Sequence, residues 1–283
     1  MTAGYVELHA HSCFSLLDGA SYPEALIARA AALDMPALAL TDHDAMYGAV
    51  PFAKAAREAG IKPILGAELT VRGTAPHHLT VLVQNAAGWT DLCALITSAR
   101  HNAPKGDALL DAHLLDTHRD GLIVLSGCRR GEIAAALRRG DHDAAARAAC
   151  RYRALYGDHF YIELQRHHLP DDQRLTADLI ALARELDLPV AATNNVHYAE
   201  RDGHRLQDIL TCIRHNITLD DARAAAPEFG VLPQVRRRDG RPIHRRAGRA
   251  DEHHAHRRRV RLHAGVRLAR AAGLSDAGGP KRL

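Results

Sequence analysis

His9 and His11, two histidines one residue apart, stand in an apolar segment near the start of the chain. A β-strand would send both imidazoles to the same face, because alternate residues of a strand point to the same side. Two imidazoles on a rigid element are suited to hold a divalent metal ion. Alone, the pair is weak evidence, since two surface histidines would give the same pattern. Asp18 follows a tight SLLDG turn, which could carry its carboxylate back over the end of the same strand.

Further metal-ligating side chains recur where apolar runs end. In parallel α/β proteins, ligands collect at the carboxyl ends of the strands, because the connecting loops meet there at one mouth. The complete set of candidate ligands is His9, His11, Asp18, His43, Glu68, His101, Cys128, Asn195 and His197. Nine candidates are too many for one ion of four to six coordination, so the sequence predicts two or three metals. Mixed histidine and carboxylate ligands favour Zn²⁺ or Mn²⁺ over Mg²⁺.

Several of these residues also have simpler explanations. Glu68 lies in the apolar run GAEL, where a charge is costly unless it forms a salt bridge or binds a metal. Cys128 could be an ordinary buried thiol. His101 closes a predicted helix, where a cation is favourable without any ligand. The remaining histidines of the body are interpreted as surface residues: His77, His78, His113, His118, His142, His159, His167, His168, His204 and His215.

Short apolar runs alternate with longer amphipathic ones from Tyr5 to about Ile217, and this alternation indicates an α/β fold. About seven βα units predict a barrel, with the ligands at the carboxyl ends of its strands. The predicted strands are Tyr5–Ala10, Ala37–Leu40, Lys62–Val71, Leu79–Gln84, Gly121–Leu125, His159–Leu164 and Leu188–Thr193.

The charge is divided unevenly along the chain. Residues 1–225 hold 22 Lys and Arg against 28 Asp and Glu, whereas residues 226–283 hold 15 against 5. We therefore predict a globular domain over residues 1–222 and a basic, disordered tail over residues 223–283. Dense arginine could bind nucleic-acid phosphates, but Arg, Ala, Gly, His and Pro are also what a GC-rich coding sequence gives when it is read out of frame.

The composition excludes several classes of protein. No apolar stretch is long enough for a membrane span, and the first residues lack the features of a secretory signal. Five widely spaced cysteines with no CxxC pair fit reduced thiols better than a disulfide framework. These features predict a cytoplasmic protein without a membrane partner.

Five motifs occur in an order that resembles a known family. They are ELHAHSCFSLLDGAS, ALALTDHDAMYGAVPFAKAA, IKPILGAEL, DGLIVLSGC and TNNVHYA. Together they are similar to the PHP (polymerase and histidinol phosphatase) domain at the N-terminus of bacterial DNA polymerase III α subunits, and the stretches RHNAPKG and LSGCRRGE resemble its error-prone branch most closely. The resemblance covers about residues 4–220.

This resemblance implies an α/β fold, a distorted barrel of the (β/α)7 type, with a trinuclear metal centre held by the nine candidates at its mouth. It implies phosphodiester hydrolysis of the 3′–5′ exonuclease type on single-stranded DNA. The parent protein would be a DNA polymerase used in damage-induced mutagenesis, and its partners would be other replication and repair proteins. The palm carboxylates of such polymerases have no counterpart here, so we expect a truncated or frameshifted copy that does not polymerise. A free-standing histidinol-phosphatase-like enzyme and a non-catalytic structural module remain alternatives. Asn195 departs from the family pattern TNDVHY, which places an aspartate there.

Overall fold

The computed structural model describes residues 5–101, 103–104, 106–167 and 169–224. Its strands are β1 (Ala37–Leu40), β2 (Lys62–Val71), β3 (His77–Val83), β4 (Leu122–Leu125), β5 (Phe160–Leu164) and β6 (Val190–Ala192). Its helices are α1 (Pro23–Ala32), α2 (Ala49–Glu58), α3 (Ala86–His101), α4 (Glu132–Arg138), α5 (His142–Tyr156), α6 (Asp172–Glu185), α7 (His204–His215) and α8 (Leu219–Ala224). The predicted basic tail lies outside the described residues from residue 225 onward, and its separation as a domain stays a prediction.

The six strands form one mixed sheet in the order β1-β2-β3-β4-β5-β6. Only β3 runs against its neighbours, because it follows β2 through a short turn, whereas the other neighbours pair in parallel. Helices therefore cross between most strands and cover the outside of the sheet. The predicted α/β class is confirmed, and the sheet curls into a distorted barrel.

The segment predicted as the first strand closes this barrel. Ala39 N donates to Glu7 O at 2.8 Å on one side, and His11 N donates to Val196 O at 2.7 Å on the other. The segment forms isolated bridges to both edges rather than a continuous strand. One reason is that the Glu7 side chain accepts the backbone N–H groups of Leu8 and His9, which then cannot join a ladder.

Alternation along the strands separates two apolar layers. In β4, Leu122 and Val124 pack against the helix-covered outer core, while Ile123 and Leu125 belong to a second core inside the curl. Burial of both faces explains why the parallel strands are continuous apolar runs in the sequence. No helix in the described ranges is long and apolar enough to span a bilayer.

Candidate metal centre

Glu68 lies at the centre of a cluster of imidazoles inside the curled sheet. Its neighbours Ala67 and Leu69 belong to the outer core, so the pleat of β2 turns the Glu68 carboxylate inward. Oε2 of Glu68 lies 3.1 Å from Nδ1 of His43 and 3.0 Å from Nδ1 of His78. The side chain is 1% exposed, so its charge depends on these partners rather than on water.

His9 and His11 form the adjacent wall of the cluster. Their Nε2 atoms are 3.1 Å apart, and both face Glu68, at 3.4 Å from Oε1 for His9 and 3.6 Å from Oε2 for His11. The predicted common face of this pair is therefore confirmed. Nδ1 of His9 lies 2.7 Å from Oε1 of Glu163, a geometry that places a proton on Nδ1 and leaves Nε2 for the cluster.

Glu163 is a buried carboxylate whose partners fix its orientation. Gln165 Nε2 and the Thr193 hydroxyl donate to Oε1 at 2.8 and 2.5 Å, and the Thr80 hydroxyl donates to Oε2 at 3.3 Å. A carboxylate held this firmly in turn holds the imidazole of His9 in one rotamer. This carboxylate–histidine arrangement is characteristic of metal-ligating histidines.

Asp18 and His197 complete the cluster on the side nearer to solvent. Oδ2 of Asp18 lies 2.8 Å from Nε2 of His43 and 3.3 Å from Nε2 of His197, as the predicted return of the SLLDG turn requires. Nδ1 of His197 donates to the backbone oxygen of Asn195 at 2.8 Å, so Nε2 of His197 is directed to the cluster. Arg214 contacts the other Asp18 oxygen, with Nη1 3.1 Å from Oδ1.

Asp42 anchors the turn that carries Asp18. It accepts hydrogen bonds from the backbone N–H of Ser12 and from the hydroxyls of Ser12 and Ser15, at 2.7 to 2.8 Å. The Ser15 hydroxyl also lies 3.1 Å from Nδ1 of His11. The buried Asp42 carboxylate therefore connects the loop after β1 to the segment that contains His9 and His11, called the HxH segment below. It also sets the position of the turn that carries Asp18.

The electrostatics of the cluster favour added positive charge. Burial opposes ionisation of Glu68, but the imidazoles of His78, His9 and His43 outweigh it and hold the pKa of Glu68 well below its ordinary value. Burial likewise opposes protonation of His9, yet Glu163 and Glu68 raise the pKa of His9 well above its usual range. Burial, together with His43 and His197, lowers the pKa of His11. The carboxylates thus attract a cation, either a proton or a metal ion.

Two buried oxygen atoms fit a metal better than they fit the protein alone. Among the described residues, Oε1 of Glu68 and Oδ1 of Asn195 are buried without a hydrogen-bond partner. Two groups of donors lie within 4.8 Å of one another: His9, His11 and Glu68 form one, and His43, Glu68 and His78 form the other. Nitrogen and carboxylate donors at this spacing suit a divalent ion of intermediate softness.

The structure places most of the nine predicted ligands in one region. His9, His11, Asp18, His43, Glu68 and His197 contact one another directly, and Cys128 approaches through His78, with Sγ 3.4 Å from Nδ1. Burial and the charge of Glu68 raise the pKa of Cys128 well above its usual value, so the thiol is neutral in this arrangement. Asn195 adjoins the cluster with positive φ and its buried amide oxygen.

His101 differs from the other eight. It is the last residue of α3 and is exposed, as the alternative explanation of a cation at a helix C-terminus expects. Within the described part of the chain, no contact joins its side chain to the cluster. Its role as a ligand stays a prediction without a supporting contact.

The surface interpretation of His77 and His78 is wrong. Both lie in β3, at 6% and 4% exposure, and His78 contacts Glu68. The predicted strand begins at Leu79, two residues too late to include both of them. Glu163 was missed as well, although it is a charged residue within the apolar run FYIEL, the same signal that singled out Glu68. Arg214 carries no such signal, because its position depends on how α7 packs.

Comparison with known proteins agrees with this architecture. The PHP domain family model matches residues 7–167. The error-prone DNA polymerase of Symbiobacterium thermophilum is 44% identical over 239 residues, covering 79% of this chain and 22% of that protein. The DNA polymerase III subunit alpha of Treponema pallidum is 40% identical over 222 residues, covering 74% of this chain and 19% of that protein. The chain spans about a fifth of the length of these relatives.

A solved structure supports the fold alone. An amidohydrolase from Chromobacterium violaceum, with bound SO4 and no metal, superposes with a TM-score of 0.52 at 20% identity. The match covers 68% of this chain and 87% of that chain. The family match establishes membership, because it includes more than half of the chain. It extends from the HxH segment past Glu163. The resemblance found in the sequence is confirmed, and the chain belongs to the PHP domain family.

Proposed function

We propose that this chain is a metal-dependent phosphoesterase module that hydrolyses phosphodiester bonds in DNA. The observation that carries the proposal is Glu68, a fully buried carboxylate with one oxygen shared by two imidazoles and the other without a hydrogen-bond partner among the described residues. A purely structural carboxylate at such depth would have both oxygens satisfied. A carboxylate that binds metal would not need a protein hydrogen bond to each oxygen.

Two or three divalent ions, Zn²⁺ or Mn²⁺ rather than Mg²⁺, are expected at this centre. His9 and His11 would hold one ion with Glu68, and His43 and His78 would hold a second with the same carboxylate. Asp18 and His197 would hold a third, with Asn195 as a further candidate donor, whereas Cys128 lies next to His78 and would belong to the second. Bound metals supply Lewis-acid polarisation of the phosphate and activation of the attacking water.

The surrounding residues of the chain prepare this chemistry. Glu163 holds the proton on Nδ1 of His9 and thereby keeps Nε2 available as a ligand. Asp42 keeps the turn of Asp18 in place through the two serine hydroxyls that it binds. Both carboxylates act before any substrate arrives, so the donor atoms are already oriented when an ion binds.

The names of the relatives support DNA as the substrate. Proteins called error-prone DNA polymerase and DNA polymerase III subunit alpha match most of this chain with a small part of their own length. We therefore propose that the module removes nucleotides from single-stranded 3′ ends in the cytoplasm, during damage-associated DNA synthesis, together with a polymerase or repair proteins. By itself the chain should extend no primer.

A non-catalytic structural module is the second candidate, and Asn195 is the observation that favours it. The amide brings no negative charge to a position where the family pattern has aspartate. One metal would then be less compensated, and the attacking water would be poorly oriented. A metal-loaded but inert protein is what this candidate predicts.

The test compares three substrates under Mn²⁺ and under Zn²⁺. We expect the full chain to shorten a 5′-labelled single-stranded oligonucleotide, to hydrolyse p-nitrophenyl phosphate slowly, and to leave histidinol phosphate intact. His9→Ala should abolish hydrolysis and remove the ion that His9 and His11 would hold with Glu68. Turnover of histidinol phosphate without DNA cleavage would favour the free-standing phosphatase, and a fully metallated protein without any turnover would favour the structural module.

A further inference from the structure

Arg214 places a permanent positive charge at the open side of the cluster. Its guanidinium contacts Oδ1 of Asp18 at 3.1 Å, while Oδ2 of the same carboxylate faces His43 and His197. The Arg214 side chain is 32% exposed, against 8% for Asp18. It therefore stands between the buried donors and solvent, where a substrate must enter.

The position of Arg214 is set by a helix that is anchored to the domain. Thr211 and Cys212, in the same final turn of α7, are buried at 3% and 6% exposure. The helix ends at Asn216, which adopts a left-handed conformation and bonds back to the last turn. A cation in the last turn also compensates the negative end of the helix. The guanidinium is thus held at the cluster by the fold.

A guanidinium beside a divalent metal site has an electrostatic cost. Among the described residues, the carboxylates in contact with the imidazoles of the cluster are those of Asp18, Glu68 and Glu163. Two divalent ions would already exceed this negative charge, and an added arginine would repel them further. That cost is offset if an anion binds between the metals and the guanidinium. Phosphate is the matching anion, because the planar fork of arginine donates two hydrogen bonds to it.

A second guanidinium acts electrostatically on the end of α7. Burial and the guanidinium groups of Arg214 and Arg130 lower the pKa of His215, the residue after Arg214. Arg130 comes from the loop between β4 and α4 and is exposed.

We propose that Arg214 is the phosphate-binding residue of this centre, donating to the non-bridging oxygens of a phosphate ester whose remaining oxygens face the metals. The inference rests on the proposed phosphoesterase function and adds the residue that recognises the substrate. In the absence of phosphate, the Arg214 guanidinium forms an ion pair with Asp18 alone. When phosphate binds, Arg214 shares its donors between Asp18 and the ester.

The alternative is that Arg214 only positions Asp18. The two roles predict opposite changes in metal affinity when Arg214 is replaced. Without Arg214, a mere positioning role predicts weaker metal binding, because Asp18 loses its support. A phosphate-binding role predicts metal binding that is unchanged or tighter, because a repelling charge has been removed, while phosphate binding becomes weaker.

The experiment titrates inorganic phosphate into the metal-loaded full chain by calorimetry, with metal content measured in parallel. We expect Arg214→Gln to weaken phosphate binding by ~10-fold or more, with at least the wild-type metal content, and Arg214→Lys to give an intermediate affinity. Arg205→Gln, an exposed position on the same helix, is the matched control and should behave as wild type. Michaelis constants for p-nitrophenyl phosphate and for single-stranded DNA then show which phosphate ester depends on Arg214.

Three results would overturn this inference: no phosphate binding by the wild type, wild-type affinity in Arg214→Gln, or a parallel loss of metal and phosphate in that variant. These results are distinct from failure of the proposed function. A wild type that binds phosphate through Arg214 but hydrolyses no ester would contradict only the phosphoesterase proposal, since the calorimetric comparison needs no turnover.

Discussion

The cluster has two regions that differ in depth. The floor, with side chains at most 1% exposed, consists of His9, His11, Glu68 and Glu163. The rim, with side chains from 8% to 32% exposed, consists of Asp18, His43, His197 and Arg214. The floor comes from strands and from the segment that closes the barrel, whereas the rim comes from loops and a helix end.

This difference separates two tasks. Strand geometry and buried hydrogen bonds leave the floor with one arrangement, as the four partners of Glu163 illustrate. The rim has more access to water and can adjust to an ion or to a phosphate. We infer that the floor supplies the rigid carboxylate on which both groups of candidate donors depend, and that the rim completes the coordination and contacts the substrate. Variants in the two regions should therefore change different measurements.

The largest effect is expected from Glu68→Gln. Both groups of candidate donors use this carboxylate, so its neutralisation removes a ligand from two ions at once. Metal affinity, measured by competition with a chromogenic chelator, should fall by more than ~100-fold. Glu185→Gln, an exposed position on α6, is the control and should match wild type. Retention of full metal content by Glu68→Gln would show that the floor is not the metal site.

Glu163→Gln should have the next largest effect, although Glu163 is not a proposed ligand. A glutamine cannot hold the Nδ1 proton of His9 as a carboxylate does, so the imidazole loses its fixed tautomer. Metal affinity should fall by about 10- to 100-fold, the usual loss for a partner behind a ligating histidine. An unchanged affinity would mean that Thr80 and Gln165 orient His9 without the carboxylate.

His78→Ala and His101→Ala form a matched pair of histidine variants. His78 lies 3.0 Å from Glu68, whereas His101 is exposed at the end of α3. We expect the His78 variant to lose about one ion per chain and the His101 variant to keep the wild-type content. Plasma emission spectrometry on both proteins measures the difference. The reverse result would confirm the ligand prediction for His101 and remove His78 from the centre.

Asn195→Asp should have the smallest effect, and in the opposite direction. A carboxylate at this position adds negative charge beside the rim, so the adjacent ion should bind more tightly. Metal occupancy and the rate of p-nitrophenyl phosphate hydrolysis should rise together, by several-fold. If the parent is already fully metallated and active and the variant does not differ, the side chain at this position is not limiting.

The parts of the fold and site that were predictable from sequence are those set by local periodicity. The alternation of His9 and His11 predicted their common face, and the apolar run around Glu68 made its charge conspicuous. The α/β class followed from the order of apolar runs. The same alternation explains what was missed, because starting β3 at His77 places His78 and Thr80 on the inner face with Glu68.

Other features depend on packing between distant segments and are not visible in a local pattern. Arg214 reaches Asp18 only because α7 folds back over the turn that follows the HxH segment. The pattern of residues 5–10, the segment that closes the barrel, predicts a strand. The Glu7 side chain, however, accepts hydrogen bonds from two of its backbone N–H groups. His101 stays a predicted ligand, since it is exposed at the end of α3 and no contact among the described residues tests the prediction.

The metal content of the purified full chain tests the central claim most directly. We predict two to three Zn²⁺ or Mn²⁺ per chain by plasma emission spectrometry of protein prepared without chelators, and a clear drop in melting temperature when a chelator removes them. A metal-free protein whose melting temperature does not respond to chelation would contradict the account, because the cluster around Glu68 would then be a structural network of paired charges.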